Sequence, residues 1–123
     1  MGPLVVFLQG GSWEHRYQAV TLAVTAAALG DPVVVALFFE PLRLWVAGRF
    51  DEGAPPEAAR ARVQGLAESL AEARRALGLE VVACDTAVRL VGLEPGALGS
   101  AVDRIASVPS LWKMGREGKV VVI

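Results

Sequence analysis

The sequence predicts an α/β fold of the flavodoxin-like, doubly wound kind: a three-layer sandwich around a five-stranded, mainly parallel sheet. Three observations lead there. Short Val- and Leu-rich runs recur along the chain and are apolar throughout instead of alternating, as strands buried on both faces must be. Helical stretches separate them, giving the order β-α-β-α-α-β-α-β-α-β. At 123 residues the chain has room for one core, so residues 1–123 are read as a single domain.

Each element has a local reason. Pro3–Gln9 reads as a buried strand ended by the breaker Gly10-Gly11. Ser12 is the expected N-cap of a helix over Trp13–Leu29, stopped by Gly30. His15 stands where a Glu or Gln would complete a capping box. The second half of that helix, from Ala19 on, is apolar nearly all round, which asks for cover on more than one side. Pro32–Phe39 is the second strand, Pro41–Ala47 a short apolar helix or turn, and Gly48–Pro56 a loop. A long helix is expected over Pro56–Leu77, with Val63, Leu66, Leu70, Ala73 and Leu77 in one stripe and Gly78 at its C′ position. The strand Leu79–Ala83 runs out at Cys84, and Asp85–Val91 reads as a short helix ending near Gly92. Leu93–Gly99 is a loop, Asp103–Val108 a strand, Pro109–Gly118 a short helix, and Lys119–Ile123 the closing strand.

Composition narrows the function. A net charge of −1 lacks the clustered cations of a nucleic-acid footprint. The N-terminus has no positively charged leader, and no apolar run reaches membrane-spanning length, so a cytoplasmic protein is expected. A hydrophobic share of 54% in so small a chain points to apolar surface buried against a second subunit, hence a homo-oligomer. Phe38, Phe39, Leu42, Leu44, Trp45 and Phe50 are expected to supply core and subunit interface together. One Cys allows no internal disulfide, and one His with one Cys is too few for a zinc site, so no metal is expected.

In a doubly wound sheet, chemistry gathers at the carboxyl ends of the strands. Gly10, Gly11 and Ser12 follow the first strand and open a helix, a geometry that presents N–H groups to an anion. The segment has neither G-x-G-x-x-G nor a Walker lysine, neither the acidic pair of a receiver domain nor a Ser/Thr-rich flavin-phosphate loop. No organic cofactor is expected. A tight turn needing glycine is the plainer reading of the same residues. His15 is either a general base or thiolate partner across the sheet edge, or an exposed first-turn side chain; adjacent central strands would make a meeting with Cys84 possible. Cys84 itself, between a strand's end and a helix's start, is either a reactive thiolate or a packed small hydrophobe. Asp85 opposes a thiolate beside it, and Arg89, one turn on, offsets that opposition; Thr86 lies between them.

Val5-Val6-Phe7-Leu8-Gln9-Gly10-Gly11, the segment from Leu29 to Phe39, the run from Gly78 through Cys84 to Leu93, and the tail with Val108-Pro109-Ser110-Leu111-Trp112-Lys113-Met114 together resemble the DsrE/DsrF/TusD family of sulfur-relay proteins. The resemblance spans nearly the whole chain. It implies a flavodoxin-like domain assembled into trimers or hexamers, occasionally dimers. It also implies sulfane sulfur carried as a persulfide on the cysteine matched by Cys84, taken from a donor protein and passed to an acceptor, with no metal or organic cofactor. The alternative is a non-catalytic oligomeric module that holds a small anion or ligand at the strand ends, with Cys84 packed.

Overall fold

Five parallel strands make one sheet in a computed structural model that describes residues 2–123. They are β1 (Leu4–Leu8), β2 (Val33–Leu37), β3 (Glu80–Cys84), β4 (Arg104–Ala106) and β5 (Lys119–Val122). The order across the sheet is β4-β3-β2-β1-β5. The chain therefore steps outward one strand at a time and then returns across the whole sheet to β5, which puts the reversal of direction between β1 and β5. Leu4 lies opposite Val33 on one side and Lys119 on the other; Val34 faces Glu80, and Val82 faces Arg104. This is the doubly wound α/β sandwich that the apolar runs predict.

Every residue of β1 and β2 is buried, and so is all of β3 after Glu80. Val, Leu and Phe dominate these strands because β-branched and aromatic side chains pack well on a pleated surface covered on both sides. Helix α1 (Trp13–Ala28) packs against β1, β2 and α4 (Leu66–Leu77) on one face. The return crossover, α7 (Val108–Arg116), packs on β1 and β5. Gly115 of α7 sits over Val5 and Val120, so close that a Cβ there would lie 2.3 Å from Val120 Cγ2. Since neighbours in register share a face, Val5, Phe7, Val34, Ala36, Val82 and Cys84 all point to the α7 side.

The apolar second half of α1 is explained by its neighbours. Ala19, Val20, Ala23 and Ala27 are buried, and Leu22, Val24 and Ala26 pack at the margin of the core. Of the expected Phe38–Phe50 cluster, Phe38, Leu42, Leu44 and Phe50 are core, and Trp45 stands edge-on to Phe50. Phe39 alone turns outward.

The long helix expected over Pro56–Leu77 is two helices, α3 (Pro56–Arg60) and α4, separated by a turn in which Arg62 has φ +57°. The stripe reading fails because a better cap exists at its middle. Asp51, in the preceding loop, accepts from the backbone N–H groups of Leu66 at 2.5 Å and Ala67 at 3.2 Å, an N-cap supplied from fifteen residues away. Val63 consequently lies outside the core, at 38% exposure, and only Leu66, Leu70 and Ala73 are buried. The loop Leu93–Gly99 holds a further short helix, α6 (Pro95–Leu98), and a 3-10 turn follows at Gly99–Ala101. Strands and helices elsewhere fall within a few residues of expectation: α2 covers Phe39–Val46 and α5 covers Asp85–Leu90.

Two arginines tie loops to this frame. Arg16 of α1 is buried, and the carbonyls of Phe50 and Glu52 accept from its Nη1 and Nη2, the latter at 2.8 Å. Burial pulls that guanidinium down from its ordinary value, against the opposing pull of Asp51, Glu52, Glu40 and Glu14. Arg74 of α4 reaches Asp103 at 3.0 Å and 3.3 Å and also donates to the carbonyls of Ser100 and Ala101. Asp103 in turn accepts from the Val81 N–H at 2.7 Å.

Asp51→Ala removes both cap bonds and is expected to cost about 1–2 kcal/mol in urea unfolding, since the Leu66 and Ala67 amides lose their acceptor. Partial burial alone would raise the Asp103 carboxyl, yet hydrogen bonds from Arg74 and Val81 and the charges of Arg74 and Arg104 hold it below its ordinary value. A carboxyl lowered in the folded state stabilises fully above its unfolded value. The contribution disappears as pH falls through the folded value. Acid unfolding of Asp103→Asn is therefore expected to show a shallower stability loss below about pH 4 than the parent chain.

Candidate functional site

The carboxyl edge of the sheet is assembled from the ends of β1, β2, β3 and β4, and all the residues singled out by sequence lie along it. They do not form one cluster. Gly10, Gly11, Ser12 and His15 follow β1, whereas Cys84, Asp85, Thr86 and Arg89 follow β3, and β2 stands between. Two interstrand spacings separate the strand axes by about 9–10 Å. The adjacency that would pair His15 with Cys84 is absent.

The β1 side is closed on itself. Ser12 is the N-cap of α1, and its hydroxyl accepts from the His15 N–H at 3.1 Å. The His15 ring completes the cap by a route Glu or Gln does not use: its Nδ1 bonds directly to Ser12 Oγ at 2.6 Å. The ring also lies against Gly10, where a Cβ would come within 2.2 Å of it. The Gly10 N–H is not available to an anion, because it donates to the carbonyl of Ile123 at 3.1 Å, as the Gln9 N–H does at 2.9 Å. These glycines serve a tight turn in which backbone and imidazole meet. Gly11 faces the aliphatic part of the Glu40 side chain, whose carboxylate pairs with Arg43.

On the β3 side, Cys84 is the last strand residue and the N-cap of α5, with φ −71° and ψ 128°. Its side chain makes no capping bond, and it is a free thiol at 2% exposure. The parallel pairing sets it opposite Ala106 of β4. Asp85 does not aim its carboxylate across the junction: Oδ1 accepts from the Thr86 N–H at 2.7 Å and the Thr86 hydroxyl at 3.3 Å. Arg89 reaches back to Thr86 Oγ1 at 3.4 Å and not to Asp85. The three residues thus form a chain of bonds along the exposed start of α5, leaving Cys84 to the core. Among the described residues no group of three His, Cys, Asp or Glu side chains is placed to hold a metal ion, and no helix is long and apolar enough to cross a membrane.

Phe39 follows β2 at the same carboxyl edge, and its conformation there is what the sequence did not show. It begins α2 with φ +48° and is 40% exposed, a left-handed conformation that a bulky side chain adopts only when its surroundings impose it. Phe7 and Phe38 stack at 5.6 Å behind it, and Phe38 lies 6.1 Å from its ring. The Phe-Phe-Glu-Pro run marks the strand end; only the backbone torsion reveals the outward turn.

A comparison with protein-family models finds no match for this chain, and a search of curated proteins finds none either.

Gly10→Ala is expected to destabilise the fold by about 2 kcal/mol, because the His15 ring cannot yield without leaving the Ser12 cap. Adding His15→Ala should restore part of that loss, and a double-mutant cycle in chemical denaturation reads the coupling.

Proposed function

We propose that the chain is a sulfur carrier that accepts sulfane sulfur as a persulfide on Cys84 and hands it to a partner protein. The observation that carries this reading is the position of the thiol. It ends a central-sheet strand at the carboxyl edge, its sulfur is committed to no hydrogen bond of the helix cap, and the neighbouring carboxylate is spent on Thr86. The resemblance to the DsrE/DsrF/TusD family supports the same residue. In the transfer step, the Cys84 thiolate attacks the terminal sulfur of a donor persulfide, R–S–SH. The new S–S bond forms as the donor's S–S bond breaks, Cys84 becomes Cys–S–SH, and the donor leaves as R–S⁻. No external oxidant is needed, since sulfane sulfur moves between two thiols.

The reading includes a cytoplasmic homo-oligomer. Exposed Phe39, Val108 and Trp112 support that assembly, being large apolar side chains left on the surface of one subunit. A second reading has one specific observation in its favour: the burial of Cys84 suits an oligomeric binding module in which the thiol is packing.

Intact-mass measurement after incubation with thiosulfate and a rhodanese separates the two. The carrier reading expects a gain of about 32 Da, one sulfur atom, that is missing in Cys84→Ser and is reversed by a thiol reductant. A thiol that takes no sulfur while the unfolded chain is readily alkylated gives the result to the packed reading.

A further inference from the structure

β4 is the least secured strand of the sheet. It has three residues, lies on an edge, and buries none of them fully. β1, β2 and β3 have five residues each and are held from both sides. Opening free energies are lowest where buried contacts are few and backbone bonds face solvent. β4 and the turn before it therefore rely on side chains from outside. Arg74 donates to Asp103 from Nε and Nη2, to the Ser100 carbonyl also from Nη2, and to the Ala101 carbonyl from Nη1. The Trp45 indole donates to the Ala101 carbonyl at 2.6 Å. Asp103 is bound twice to β3, its carboxylate accepting from the Val81 N–H and its own N–H donating to the Val81 carbonyl, each at 2.7 Å. Past β4's start, Arg104 reaches Glu80 at 3.3 Å.

At the other end of the same strand, Ala106 is the register partner of Cys84. Moving β4 aside turns β3 into the sheet edge and opens the thiol from its flank, while the α7 side above it stays in place. We propose that the segment Gly99–Ala106 is a removable side wall covering the flank of Cys84, latched by Arg74 and Asp103, and that its opening is how a donor persulfide reaches the thiol. The use assigned to the opening rests on the sulfur-carrier reading; the opening itself rests on the strand geometry alone.

The test reads access to the thiol without sulfur chemistry. Folded protein is treated with iodoacetamide, and Cys84 labelling is followed beside amide hydrogen exchange at Asp103 and along β1. In the unmodified chain, labelling is expected to keep pace with exchange at Asp103 and to outrun β1 exchange by tenfold or more, roughly, as local opening requires. Arg74→Met should raise the labelling rate about tenfold with β1 exchange unchanged. Arg75→Met, a neighbouring charge outside the latch, should leave it as it was. A labelling rate that Arg74→Met does not move, or that rises only in step with β1 exchange, overturns the cover. Should that variant not fold, the unmodified chain still decides, because labelling that tracks β1 and not Asp103 overturns it equally. A chain labelled through the latch that never gains sulfur keeps the cover and ends the carrier reading; sulfur uptake insensitive to the latch does the reverse.

Discussion

Burial of the three central strands on both faces is the constraint from which the rest of the molecule follows. β1 and β2 are buried along their whole length, so neither face of the sheet can be left to water. Each Val or Leu so covered contributes about 1.5–3 kcal/mol, a gain realised only if helices lie close on both sides. That requirement makes α1 rich in Ala and Val, and it places Gly115 where α7 crosses the sheet at the distance of a missing Cβ. It also forces each loop at the carboxyl edge to satisfy its own backbone groups while stepping from a buried strand to a covering helix.

The two halves of that edge meet the requirement differently. After β1, the turn is bound to the far end of the chain through Ile123 and to its own helix through Ser12 and His15, which leaves little for a ligand. After β3, the turn spends its polar groups along the surface of α5 and leaves a buried sulfur beside a short edge strand. The residue proposed to carry sulfur is therefore also a concealed one. A persulfide is readily reduced or oxidised, so a carrier benefits from a thiol that is covered between encounters.

Much of this was legible in the sequence because the strand signal is simple. Unbroken apolar runs such as Val33–Leu37 have one stable home, the middle of a parallel sheet, and Ser12 and Gly30 mark the ends of α1 as capping chemistry says they should. The break at Arg62 was not legible, since the acceptor that caps α4 is Asp51, remote in sequence, and a helical stripe carries no record of it. Strand adjacency was hidden for a related reason. Only the order β4-β3-β2-β1-β5 shows that His15 and Cys84 are kept apart, and order is a property of the whole sheet. Residue types placed Cys84 at a strand end, but its burial and its pairing with Ala106 across the ladder belong to the folded sheet, which local pattern does not contain.

The pairing of β1 with β5 joins segments near opposite ends of the chain, with Leu4 opposite Lys119. β1 through β4 add in sequence, each beside the last, and can be built up as the chain leaves the ribosome. One side of β1 has no partner until β5 arrives, and α7 closes its face of the sheet in the same step. Ladder pairing at such separation carries a late loop-closure cost. A ribosome-bound chain that has emerged only as far as β4 thus presents β1 as an open strand edge, the surface on which a chaperone or a neighbouring nascent chain would act.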